Sequence, residues 1–272
     1  MLFNEKQKAK ADFILASPYA KLSDLLRHER KELAVVWSYY SGKIEGNTYS
    51  YVETESLLKD GITSEKRYED AKMLKNLYNA FISELRYIHE SKNAEAIDEK
   101  TLLRLHAAIS AELVSSEESG RFRDRMVRIM GTGYVPPKDR TDIKIAIGEM
   151  LYQQDAIANP LEKAVFLHCN IAKIQPFIDG NKRTSRMVES IVLMNHGIIP
   201  VYSTKEADIN AYRRGVMSFY ETGDYGSYAD YFLNRQIRRI NDLSHGTDIT
   251  FELESERETS PPKPAFYRKL SK

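Results

Sequence analysis

Apolar positions recur at intervals of three and four residues through most of the chain, and strand-like alternation is confined to one short stretch, so the pattern predicts an all-α protein. Between residues 22 and 44, Leu33, Val36, Trp37, Tyr40 and Ile44 share one helical face, and Gly46 supplies a stop signal. Ser50, with Glu53 three residues later, makes a capping-box pattern that opens the next helix ahead of Leu57 and Leu58. Further helical patterns cover residues 64–89, 98–113, 142–158, 161–174, 182–196 and 205–220. Asn159 followed by Pro160 is a favourable helix start, and Gly197 marks a helix end.

One segment reads differently. Met126, Val127, Arg128, Ile129 and Met130 precede Gly131-Thr132-Gly133, and Tyr134 and Val135 follow before Pro136-Pro137. This predicts a short β-hairpin with a glycine-rich turn, standing out from the helical body with an exposed strand edge. Beyond Leu243 the periodicity dissolves into polar residues, with Glu252, Glu254, Glu256 and Glu258 and then Pro261, Pro262 and Pro264, which predicts a loosely ordered tail.

With 272 residues, 42% of them hydrophobic and 29% charged, the chain is long and apolar enough for a large buried core. Its 40 basic and 39 acidic residues give a formal charge of +1, which supplies no global field for nucleic acid or an anionic membrane. An anion site must therefore be local. The lone Cys169 rules out an internal disulfide and a cysteine-based zinc cluster. The opening residues MLFNEKQKAKADF are too polar for a signal peptide, and no apolar run approaches the roughly 20 residues of a membrane span. These features predict a cytoplasmic protein without a membrane partner.

The chemistry concentrates in Gln175-Pro176-Phe177-Ile178-Asp179-Gly180-Asn181-Lys182-Arg183-Thr184-Ser185-Arg186. Pro176 ends one helix and Asp179-Gly180-Asn181 opens the next, whose first two turns carry Lys182, Arg183 and Arg186. Gly180 allows close backbone approach, and free N–H groups at the helix start point outward beside three cations, the makings of a polyphosphate cradle. Asp179 beside it suits Mg²⁺, which takes one or two carboxylates together with phosphate and water oxygens.

This run resembles the Fic-family motif HPFx(D/E)GN(G/K)RxxR at every defined position except the first. Ser41-Gly42-Lys43-Ile44-Glu45-Gly46 is similar to that family's inhibitory-helix motif (S/T)xxxE(G/N). Gly120-Arg121-Phe122-Arg123, followed by the Val127–Pro137 stretch, resembles the flap region, and residues 228–232 fall where the family core ends. The resemblance spans roughly residues 29–239 and implies a Fic-type helical core over 29–242 containing the inhibitory helix at about 33–46, the flap at about 126–137 and the motif at 175–186. An amino-terminal helical extension at 1–28 and the tail at 243–272 flank it.

Function follows from the resemblance as an expectation: transfer of AMP from ATP to a Ser, Thr or Tyr hydroxyl of a target protein, with Mg²⁺ present. Asp179 would take the metal. Gly180, Asn181, Lys182 and Arg183 would hold the phosphates, and Arg186 the γ-phosphate. Glu45, with Ser41, would bind Arg186 and block that arrangement. The pairing has a physical motive as well, because an anion at the carboxyl end of a helix is disfavoured by the macrodipole and a nearby cation relieves the conflict. Val127, Arg128, Ile129, Met130, Gly131 and Tyr134 would dock the unknown target segment by strand-like pairing.

The departure from the family is Gln175, which stands where the family has its catalytic histidine. A carboxamide has no site that titrates near neutrality and can at most orient a hydroxyl. Losing a general base typically costs a factor of about 10² to 10⁴ in rate, so nucleotide binding is expected to outlast efficient transfer. His168 lies seven residues earlier, about 10 Å along the helix axis, and reads as a packed core histidine; His106 and His196 have no motif context at the phosphate. Alternatives are a non-catalytic nucleotide-binding regulatory module, removal of AMP from a modified protein with Glu45 activating water, and phosphotransfer of the Doc type, to which Lys182 also points. Nucleic acid is not an expected partner, and self-association of the chain is left open.

Overall fold

The computed structural model describes residues 2–90, 94–244 and 250–253. Among these, ten α-helices follow one another: α1 (Glu5–Ala16), α2 (Arg27–Ile44), α3 (Tyr51–Asp60), α4 (Tyr68–Leu85), α5 (Glu99–Ser110), α6 (Arg140–Gln154), α7 (Pro160–Ile174), α8 (Asn181–Asn195), α9 (Glu206–Thr222) and α10 (Gly226–Leu243). Only an isolated antiparallel bridge, between Lys21 and Ile198, interrupts the helical character. No helix among the described residues is long and apolar enough to cross a membrane.

Local sequence sets most of the boundaries. Ser50 and Glu53 form the reciprocal capping box at the start of α3, and the Asn159 side chain caps α7 by accepting from Leu161 and Glu162 N–H ahead of its first-turn Pro160. α2 starts at Arg27 rather than near Leu22, because Leu22–Asp24 forms a separate 3₁₀ turn and Glu29 reaches back to the Leu26 N–H. The expected apolar face of α2 is only part of its buried surface. Val36 is half-buried, whereas Val35, Ser38, Ser41 and Gly42 are buried, since α2 packs against α3 and α4 on one side and α9 on another.

The antiparallel pair α7 and α8 makes the most extensive helix contact and forms the centre of the core. All of α8 from Arg183 to Met194 is buried despite the polar sequence Arg183-Thr184-Ser185-Arg186 at its start. α9 and α10 pack side by side on this pair, and Gly215 is where they come closest. A Cβ there would lie 2.9 Å from the Tyr228 Cα and 3.3 Å from the Ser227 carbonyl oxygen, both backbone atoms of α10 that cannot rotate away. Gly215→Ala is therefore expected to lower stability by about 1–3 kcal/mol through forced separation of the two helices. Urea unfolding of the two chains measures it, and an unchanged midpoint would show that α10 shifts freely.

Two expectations need correction. Residues 126–137 project as expected, but they form an extended loop with a turn at Met130-Gly131 and no strand ladder. Side chains alternate between half-buried and exposed along both arms, with Ile129 and Tyr134 packed on the core and Met130 88% exposed. The arms are held by side chains instead of by each other. Pro136 and Pro137 offer no N–H for a ladder, the Thr132 hydroxyl takes the Tyr134 N–H, and Tyr134 lies under the Lys173 ammonium at 4.8 Å. The second correction concerns the tail. Residues 250–253 are docked: Asn241 exchanges two hydrogen bonds with the Phe251 backbone, and the Phe251 ring sits 5.2 Å from that of Phe13. Glu254, Glu256, Glu258 and the three prolines beyond lie outside the described residues.

Candidate functional site

The site forms where α7 ends and α8 begins. Gln175 closes α7 in the left-handed conformation (φ 51°), one of two non-glycine residues with positive φ among the described residues, and its N–H bonds the Ile171 carbonyl. Its carboxamide is turned back onto the helix end. Nε2 donates to the Ala172 carbonyl at 2.6 Å, and Oε1 accepts from Asn181 Nδ2 at 3.1 Å. Asn181 also closes the loop on itself, taking the Phe177 N–H and donating to the Phe177 carbonyl, each at 2.8 Å.

Beneath the loop, His106 of α5 stacks face to face on Phe177 with centroids 3.9 Å apart. Its Nδ1 accepts from the Gly120 N–H at 2.9 Å, which leaves Nε2 as the protonated nitrogen donating to the Asp179 carbonyl at 3.1 Å. Burial, with a further contribution from Arg183, pushes its pKa down to about 4 against the Asp179 bond, so the imidazole is neutral near pH 7. Gly180 takes φ 77° directly above this ring, where a side chain would lie 3.5 Å from both His106 and the Arg183 guanidinium.

The cations at the start of α8 differ in how well they are satisfied. Arg183 is 2% exposed and bonds the Asp179 carboxylate at 2.6 Å, while its Nε and Nη1 are buried without a hydrogen-bond partner. Arg186, 1% exposed, has all three nitrogens engaged. Nε donates to Ser41 Oγ (2.8 Å), Nη1 to the Tyr212 hydroxyl (3.0 Å), and Nη2 to the Ser41 carbonyl (3.2 Å) and Glu45 Oε1 (2.7 Å). Lys182 stands 3.9 Å from the other Glu45 oxygen. Burial would raise the Glu45 pKa, but Arg186, Lys182 and Arg183 together pull it below the ordinary carboxylate value. Arg213 donates to the Lys43 and Ile44 carbonyls, capping the end of α2 that carries Glu45.

Residues 96–193, which include this whole loop and the start of α8, match the profile of the Fic/DOC family. The chain belongs to the Fic/DOC family. The protein adenylyltransferase Fic of Culex quinquefasciatus is 31% identical over 199 residues, covering 71% of this chain and 38% of that protein. The chain thus spans well under half the length of that relative. Among solved structures, a Fic family protein from Desulfovibrio desulfuricans G20 superposes with a TM-score of 0.71 at 20% identity, covering 88% of this chain and 73% of that one. Fic-1 from C. elegans gives 0.66 at 20% identity, covering 87% and 68%. At such identities these likenesses establish the helical fold.

Within the Fic fold, the structure brings Gln175, Asp179, Gly180, Asn181, Lys182, Arg183, Arg186, Ser41 and Glu45 into one cluster. His168 is the packed histidine that its position implied, bonded to Tyr212 and 3.0 Å from Glu189 in a fully buried network. Three contributors were missed: His106, Arg123, which binds the Gln175 carbonyl at 2.7 Å, and Tyr212. Arg123 lies in the Gly120–Arg123 string that resembles the family's flap region, whereas nothing in the sequence near His106 or Tyr212 indicates the Asp179 loop or Arg186.

Proposed function

We propose that this chain binds Mg·ATP in the loop between α7 and α8 and belongs with the Fic proteins that transfer AMP to a protein hydroxyl, with slow transfer because Gln175 lacks a basic site. The observation that carries the reading is Arg183: a buried guanidinium with two nitrogens unpartnered beside a glycine and the open start of a 15-residue helix. Burying donors of a cation without acceptors is costly, and phosphate oxygens are the acceptors this geometry suits. Asp179 is 62% exposed beside it. Among the described residues no three His, Cys, Asp or Glu side chains cluster to hold a metal, so a cation here would rest on Asp179 with phosphate and water oxygens, the donor set Mg²⁺ favours. Mg²⁺ would neutralise charge on the triphosphate, including the pyrophosphate that leaves as the target hydroxyl takes AMP at the α-phosphate.

The chain's own residues do the positioning. α8 N–H groups and Arg183 grip the central phosphates, Lys182 adds charge from the rim, and Arg186 offers Nη2 to the γ-phosphate once Glu45 leaves it. The extended arms at 126–129 and 132–135 form no ladder with each other and, the Tyr134 N–H apart, leave backbone groups for a target segment to pair with. Name and activity of the Culex relative, a protein adenylyltransferase, support AMP as the transferred group. A non-catalytic nucleotide sensor is the second reading, favoured by the Gln175 amide, which has no basic site and is turned back onto Asn181 and the Ala172 carbonyl.

Calorimetry tests the shared first step. ATP is expected to bind only with Mg²⁺, and Arg183→Ala to weaken it by about 10- to 100-fold, the loss of one charge-assisted pair of about 1.5–3 kcal/mol. Asp179→Ala should abolish the Mg²⁺ dependence. Equal affinity in both variants and the native chain would place nucleotide elsewhere.

A further inference from the structure

The loop from Gly120 to the start of α6 contains a buried cation that no carboxylate meets. Arg123 is 5% exposed, and every acceptor its side chain uses is a main-chain carbonyl. Nε donates to Gln175 at 2.7 Å, Nη1 to Arg125 at 2.6 Å and more weakly to Lys138 at 3.4 Å, and Nη2 to Pro137 at 2.7 Å. Its own backbone N–H donates to the Pro176 carbonyl at 3.0 Å. The acceptors belong to three separate segments: the rising arm of the projecting loop, its descending arm, and the turn that holds position 175.

A planar guanidinium carries its donors on three separate nitrogens in fixed directions and so joins three segments set apart in space, whereas an ammonium presents its donors from one rotatable nitrogen. The arms make no ladder with each other, so Arg123 replaces the ladder at their base. The same group also holds the carbonyl of a residue kept in the left-handed region, a conformation that disfavours residues with a Cβ. Burial without an anion lowers the Arg123 pKa, as expected for a cation retained for geometry.

We infer that Arg123 is a positioning residue that sets the register between the projecting loop and position 175, and so fixes where a hydroxyl carried by a docked protein segment lies relative to that position. The role in register rests on the proposed transfer reaction; the mechanical coupling does not. Displacement of a reacting atom by about 1 Å is enough to cost roughly 100-fold in rate, which is the scale on which such a pin acts.

Amide hydrogen exchange on the full chain tests the coupling without any activity. Arg123→Ala is expected to speed exchange of the hydrogen-bonded amides of Tyr134 and Phe177 at least tenfold while amides within α8 and the Mg·ATP affinity change less than threefold. Arg123→Lys, which keeps charge but loses the fork, should show most of the same acceleration and serves if the alanine variant does not fold. Arg140→Gln is the control, since it removes a comparable bond from Arg140 Nε to the Phe122 carbonyl at 3.1 Å without touching Gln175. Uniform acceleration across α7 and α8, or none at Tyr134 and Phe177, overturns the inference.

A second arm uses Glu45→Gly with Gln175→His. Adding Arg123→Lys should lower kcat for AMP transfer at least tenfold and leave KM for ATP within threefold. An unchanged kcat, or a matching rise in KM for ATP, overturns the register role. Absence of transfer in the parent double variant defeats the transfer reading and with it the register role, while the exchange data still decide the coupling.

Discussion

Glu45→Gly combined with Gln175→His is expected to transfer AMP fastest, followed by Gln175→His, then Glu45→Gly, then the native chain. Each substitution removes a separate obstacle. Glu45 Oε1 occupies Nη2 of Arg186, the guanidinium nitrogen not spent on the Ser41 hydroxyl or Tyr212, so a γ-phosphate must displace it. Gln175 supplies no proton-accepting site, and restoring a general base is worth about 10²- to 10⁴-fold. Position 175 suits a histidine, because histidine is among the residues enriched at positive φ, and Asn181 Nδ2 is in place to orient the ring. Incorporation of labelled AMP into the chain itself or a lysate protein measures the order. Rapid transfer by Glu45→Gly alone would show a competent base elsewhere. No transfer by the double variant, with ATP binding confirmed, would favour the nucleotide sensor.

Arg186→Ala is expected to destabilise the fold by about 3–5 kcal/mol, well beyond the effect of Glu45→Gly, because removing one partner of a buried pair strands what it served. Arg186 serves Glu45, both polar groups of Ser41 and the Tyr212 hydroxyl, whereas loss of Glu45 leaves Arg186 bonded to Ser41 and Tyr212. Urea unfolding of the three chains decides it, and equal losses would mean that Ser41 and Tyr212 contribute nothing to holding the cation. The acid limb gives a second check. The folded Glu45 pKa lies below its ordinary value, so its stabilisation is present above that value and fades as pH falls through the folded one. The stability gap between the native chain and Glu45→Gln should therefore narrow on acidification.

What the residue pattern itself shows depends on near neighbours, and the family resemblance added the distant pairing of Arg186 with Glu45 and Ser41. The Ser50–Glu53 box, the Asn159-Pro160 start and the Asp179–Arg186 run all act within a few residues, and each stands as expected. The projecting loop had the right alternation for strands, yet alternation records only which side chains face the body; whether backbones pair is a separate matter, and at the base of this loop Arg123 takes the Arg125 and Pro137 carbonyls. His106, Arg123 and Tyr212 reach the site from segments 73, 52 and 26 residues away along the chain, and single-sequence patterns carry no trace of such partners. The helical extension expected at 1–28 contains α1, which is weakly amphipathic and gains its place by packing on α10, whereas α10 carries a pronounced apolar face of its own.

The Glu45–Arg186 contact is made by a helix of the same chain, rooted by Trp37 in the central core and joined to Arg186 a second time through Ser41. Its occupancy is consequently a unimolecular property with a high effective concentration, which dilution cannot reduce. A second molecule competing for Nη2 works against a fixed internal rival, and the apparent nucleotide affinity should read the same at nanomolar and micromolar chain.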